Sequence, residues 1–204
     1  MGPPATIEHV PSGKNQGGKS FTTKGVWSAQ SNPYMPQEHL TTDSFSRDVL
    51  DFLLLLHKQE VRYLIVGGEA VIFHGYARLT GDIDFFYKAT SLNVRLLYQA
   101  LLEFWKGKVP GIAAAKELLQ VGLVVQFGLP PNRIDLVNQI DGVNFKEAWR
   151  NKVIVQLKGP GLDNAFIFYL GREDLIRNKQ ASGRPKDLDD LRFLESGQNG
   201  KDNP

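Results

Sequence analysis

The chain has 204 residues, 42% of them hydrophobic, and Lys+Arg 24 against Asp+Glu 22, a formal net charge of +2. That supports one good core, or a core with a small helical subdomain, and it carries no nucleic-acid signature, so any basic patch must be local. The lack of cysteine excludes a disulfide framework and thiolate metal sites. With no long apolar span and no signal-peptide-like start, the expectation is a soluble, cytoplasmic protein with no membrane partner.

Residues 1–42 are rich in Gly, Pro, Ser, Thr, Asn and Gln without periodicity, and read as a flexible N-terminal arm. Gly13 to Ser20, GKNQGGKS, matches the phosphate-binding loop of NTPases letter for letter. Such a loop works only between a buried strand and a helix. EHVPS before it and FTTKGVWSAQSNP after it offer neither, so it is read as a chance match. Asp43 or Ser44 then caps a helix through about Lys58, with Phe45, Val49, Phe52, Leu53 and Leu56 as its apolar stripe.

Residues 61–87 read as strand, glycine turn, short helix, loop and strand. VRYLIV is an apolar, β-rich run of strand length. Gly67 and Gly68 end it, and without Cβ atoms they let the chain turn sharply and let a ligand approach. EAVIFHGY fits a short helix closed by Gly75. In DIDFFY the side chains alternate, with Asp82 and Asp84 on one face and Ile83 on the other. At a strand rise of about 3.3 Å, the two acids stand roughly 6.6 Å apart at Cα.

Like charges about 4 Å apart repel by roughly 4 kcal/mol at an effective dielectric near 20. Neutralising Asp82 is therefore expected to stabilise the metal-free protein. A divalent cation, Mg²⁺ or Mn²⁺, also removes the cost, and Mg²⁺ commonly takes one or two carboxylates together with substrate phosphates. On these residues alone the other reading stands: solvent-facing acids beside a plain turn.

Residues 91–105 form a second amphipathic helix, with Leu97, Ala100, Leu101 and Phe104 facing the core. AAAKELLQ makes a short helix. GLVVQF and RIDLVN follow as strands around a Gly-Leu-Pro-Pro turn, and place Asp135 amid Ile134, Leu136 and Val137. NKVIVQLKG and NAFIFYL supply a hairpin through Pro160 and Gly161. Gly171 opens a helix, Pro185 begins the last one, and Lys179, Arg184 and Lys186 cluster near their junction. The chain thus divides into the arm (1–42), a core (43–170), a helical C-terminal part (171–196) and a polar tail (197–204).

A hydrophobic strand, Gly67-Gly68, thirteen intervening residues and Asp82-Ile83-Asp84 resemble the motif of the polymerase-β-like nucleotidyltransferases. Within them the chain is most similar to small toxin–antitoxin nucleotidyltransferases of the AbiEii and MNT type. GGEAVIFHGYARLTGDIDFF, DGVNFKEAW and LIRNKQASGRPKD carry the likeness. Many superfamily members have Ser where this chain has Gly68.

The resemblance implies an α+β nucleotidyltransferase fold: a mixed, mostly antiparallel sheet with helices on one face and a helical C-terminal part. It implies transfer of a nucleotide from an NTP to an acceptor hydroxyl on RNA or protein. Asp82, Asp84 and Asp135 would hold Mg²⁺ or Mn²⁺, with Asp135 as the third carboxylate. Gly67, Gly68, Arg78, Arg184 and Lys186 would contact the nucleotide, and Lys179 would serve the active site, whereas His74 is equally well a packed helix residue. It also implies a cognate toxin or antitoxin partner. The readings left open are a toxin, an antitoxin that adenylylates its partner, and a non-catalytic nucleotide-binding protein.

Overall fold

The computed structural model describes residues 6–9, 39–41, 44–159 and 165–196. The first helix, α1 (Arg47–Lys58), is capped by the Ser46 side chain, which accepts from the Val49 amide. The expected cap at Asp43 or Ser44 thus moves to the last hydroxyl before the apolar stripe. Asp48 in the first turn and His57 and Lys58 in the last suit the helix dipole. Val49, Phe52, Leu53 and Leu56 are buried.

Strand β3 (Tyr63–Val66), buried throughout, runs directly into helix α2 (Gly67–Phe73). Gly67 and Gly68 are therefore the first residues of a helix rather than a free-standing turn. Strand β4 (Asp82–Tyr87) and helix α3 (Ser91–Phe104) follow, then a 3-10 turn at Ala115–Leu119. Strands β5 (Leu123–Phe127) and β6 (Arg133–Val137) precede α4 (Phe145–Arg150), a helix not expected from the sequence, which Asn144 caps. Strands β7 (Val153–Lys158) and β8 (Phe166–Tyr169) pair antiparallel; the Pro160-Gly161 turn expected between them lies outside the described residues. Helix α5 (Arg172–Ser182) ends at Gly183 in the left-handed region (φ +61°), and Pro185 opens α6 (Pro185–Ser196).

The arm reading needs correction at two places. Thr6–His9 forms a strand, β1, antiparallel to β5, and His39–Thr41 forms β2, parallel to β7. Open sheet edges carry unpaired N–H and C=O groups, and these satisfy a short extended segment without any apolar periodicity in it. GKNQGGKS and the polar tail lie outside the described residues.

The sheet has eight strands in the order β1-β5-β6-β4-β3-β8-β7-β2. Four neighbouring pairs are antiparallel (β1·β5, β5·β6, β4·β3, β8·β7) and three are parallel (β6·β4, β3·β8, β7·β2). The mixed, mostly antiparallel α+β fold expected from the sequence is the fold observed, but the expectation of helices on one face needs correction, because α4 packs on the face opposite α1 and α3. Along β4, Ile83, Phe85 and Tyr87 alternate with Asp82, Asp84 and Phe86, and this period of two separates the sheet's faces. Phe85 packs edge-on against Phe52 of α1 (5.3 Å between centroids) and against Tyr63 (5.5 Å), while Phe52 also meets Phe104 of α3 (5.4 Å). That face is the main core. On the other face Phe86 meets Phe145 of α4 (5.0 Å), and the acids stand at the end of β4 beyond it.

Candidate active site

Two parallel central strands assemble the acids. In the β4·β6 pairing Asp84 stands opposite Asp135, and Asp82 stands opposite Arg133. Adjacent strands lie about 4.8 Å apart, so Asp84 and Asp135 are immediate neighbours on one face. On the far side Gln126 of β5 is in register with Asp135 and donates to its Oδ2 at 2.9 Å.

The glycines serve this face in a way their sequence did not reveal. A Cβ on Gly67, which has φ +63°, would stand 1.9 Å from Asp84 Oδ2. Gly67 is thus what leaves room for the Asp84 carboxylate. A Cβ on Gly68 would lie 2.6 Å from Thr80 Oγ1 and 2.8 Å from Arg78 Nη2. Any side chain at Gly68 would require Thr80 and the Arg78 guanidinium to shift, and the hydroxyl nearest this position is that of Thr80. Thr80 itself donates to Asp82, at 3.0 Å to Oδ1 and 3.2 Å to the main-chain carbonyl.

Arg133 is the functional candidate that sequence reasoning missed. Its guanidinium bonds Asp135 through Nε to Oδ1 (2.8 Å) and Nη2 to Oδ2 (2.9 Å), and the same Nη2 reaches Asp82 Oδ2. The signal was present, since a residue two before Asp135 on a strand must share its face. Among the described residues no cation pairs directly with Asp84. Burial, then the charges of Asp82 and Asp135, push its carboxyl up to about 7, although Lys179 and Arg133 pull the other way. The stability gain expected from neutralising Asp82 therefore belongs to Asp84, because Asp82 already has a cation.

The basic cluster is a network rather than a set of free charges. Lys179, 2% exposed, bonds Asp187 Oδ1 at 2.7 Å and Asp190 Oδ2 at 2.9 Å. Arg184 Nε reaches Asp187 Oδ2 at 2.7 Å, and Arg78 Nε reaches Asp190 Oδ1 at 3.0 Å. Burial alone would raise the Asp187 carboxyl, but hydrogen bonds from Arg184 and Lys179 bring it down to about 2. This network ties α5 and α6 to the loop before β4, and Asn178 adds a bond to the Asp141 carbonyl at 2.9 Å. His74 is buried against the Leu170 carbonyl (2.8 Å), and burial lowers its pKa first, so it is a packed residue outside the site.

Asp82, Asp84, Asp135, Lys179, Gly67, Gly68, Arg78, Arg184 and Lys186 all line one cleft of about 440 Å³. Thr80, Gln126, Arg133 and Asn178 line it too. A larger hollow of about 870 Å³ opens on the other face of β6, beside Ile134, Phe104 and Trp105, and contains none of these residues. Among the described residues no group of three or more acidic or histidine side chains is spaced to hold a metal ion. In this arrangement Arg133 bonds Asp82 Oδ2 and both oxygens of Asp135. The donor chemistry nonetheless fits a divalent cation, because Asp84 is a crowded carboxylate with no cation of its own beside two others.

Among the described residues no helix is long and apolar enough to cross a membrane. A search of curated proteins finds no match. The family described as "Nucleotidyltransferase of unknown function (DUF6036)" matches residues 48–195, from α1 through α6 and so including every residue lining the cleft. With most of its length matched, and with the paired acids, the third acid and the Gly67-Gly68 helix start in one cleft, the chain belongs to this nucleotidyltransferase family.

Proposed function

We propose that the protein transfers a nucleotide from an NTP to an acceptor hydroxyl on RNA or protein, and that it works with the small AbiEii/MNT-type enzymes' chemistry. The observation that carries this reading is the cleft itself, where three carboxylates from two adjacent strands face Gly67-Gly68 and a basic rim. In the reaction the acceptor oxygen bonds to the α-phosphorus. The bond from that phosphorus to the bridging oxygen of the β-phosphate breaks, and pyrophosphate leaves with the electron pair. The hydroxyl proton passes to a cleft carboxylate, Asp135 in this reading.

Asp82, Asp84 and Asp135 would hold Mg²⁺ or Mn²⁺, which when bound supplies charge stabilisation at the attacking and leaving oxygens. Gly67 and Gly68 would present their backbone N–H groups to the phosphates. Arg184 and Lys186 are the exposed cations on the rim and would meet the leaving pyrophosphate. Lys179 is already neutralised by two carboxylates, so its part is to hold Asp187, Asp190 and the helix pair in place. A toxin and a partner-modifying antitoxin would use this same cleft, and the acceptor distinguishes them.

One observation favours a second reading, a nucleotide-binding protein without catalysis: Arg133 pins Asp82 and Asp135. Incubating the protein in lysate with NTPs labelled at the α- or the γ-phosphate separates the readings. Transfer labels a macromolecule from the α-position and not from the γ-position. Label arriving from the γ-position would make the reaction a phosphoryl transfer, and binding without any labelling would favour the second reading.

A further inference from the structure

Two of the three cleft carboxylates already hold a cation, and it is a side chain of this protein. Arg133 faces Asp82 across the β4·β6 pairing and precedes Asp135 by two residues, so its fork lies between both acids. A planar guanidinium matches carboxylates in this bidentate way and is charged at every working pH. It carries one positive charge, however, and among the described residues Asp84 has no cation paired directly with it. Its side chain is 27% exposed on the cleft wall, so it can swing away without opening the core. A divalent ion brings twice the charge to the same oxygens, and the two cations exclude each other there.

We propose that Arg133 is the resident counter-ion of the carboxylate site, displaced when a divalent metal ion binds, and that it thereby sets the metal affinity of the protein. This rests on reading the cleft as a metal-assisted nucleotidyl-transfer site. Without metal, the arginine keeps Asp82 and Asp135 in place. With metal, its guanidinium is released into the cleft. The metal-free protein is therefore stable, and its affinity for metal alone is held down by the cost of breaking the Arg133 bonds.

The test is Mn²⁺ titration of the full chain, read by the electron paramagnetic resonance of free Mn²⁺, on wild type and Arg133→Gln. Arg133→Gln should bind Mn²⁺ at least ten-fold more tightly, and should melt lower than wild type in EDTA yet gain more from added Mn²⁺. Equal or weaker Mn²⁺ binding by the variant overturns the proposal while leaving the metal reading of the cleft intact. Absence of Mn²⁺ binding by both proteins at millimolar concentration overturns both. A second measurement needs no variant: the Arg133 Nε–H resonance of the wild type should shift on saturation with Mg²⁺, as its bond to Asp135 is lost. A resonance unmoved by saturating Mg²⁺ also overturns the proposal.

Discussion

At the scale of single residues, the site is built on compensation of charge. Lys179, Asp187 and Asp190 form a buried group, and breaking such a group by removing one partner typically costs about 3–5 kcal/mol. Lys179→Met should therefore cost stability of that order in denaturant unfolding; a loss under about 1 kcal/mol would show that the acids find other partners. The same group sets a pH limit. The Asp187 carboxyl is held down to about 2, below its unfolded value, so its contribution is full above the unfolded pKa and lost as pH falls through the folded one. Unfolding stability should drop between about pH 4 and pH 2, and Asp187→Asn, less stable at neutral pH, should show a flatter profile there. Asp84 behaves in the opposite sense, since among the described residues no cation pairs with it directly. Asp84→Asn should raise the melting temperature in EDTA at pH 8, whereas Asp82→Asn, which gives up its Arg133 bond, should not.

At the scale of elements, Phe52 shows how the main core holds the scaffold beneath the site. It is fully buried and touches Phe85 of the acid-bearing strand and Phe104 of α3. Phe52→Ala should cost about 3–5 kcal/mol, and a cost below 1 kcal/mol would mean that α1 does not cover β4 as described. These elements were legible in the sequence because their patterns are local. DIDFFY alternates, the α1 stripe repeats at helical spacing, and Gly183 and Pro185 punctuate α5 and α6. The meeting of Asp84 and Asp135 was legible only through the family resemblance, since β4 and β6 are joined by a long connection and no local pattern gives their register. Arg133 was overlooked because its partners lie on two strands, and Gly67 because its constraint comes from Asp84, seventeen positions away. The short helix α4 lacks enough turns to show a periodicity.

For the whole molecule, the two sheet edges change what the N-terminal segment is expected to do. Thr6–His9 and His39–Thr41 add edge strands, while the core strands and every residue lining the cleft lie downstream of them. Deleting residues 1–42 should lower the melting temperature by a few degrees through lost edge pairing, and leave a folded protein that still binds NTP. Loss of NTP binding on this deletion would give the GKNQGGKS match a function and contradict its reading as chance.

On the function proposed above, these carboxylates carry nucleotidyl transfer. The most direct measurement is transfer of α-phosphate label from an NTP to macromolecules in lysate with Mg²⁺, comparing wild type with Asp84→Asn. Wild type should label macromolecules in a manner that EDTA abolishes, and Asp84→Asn, although folded, should label none. Equal labelling by Asp84→Asn and wild type would contradict it.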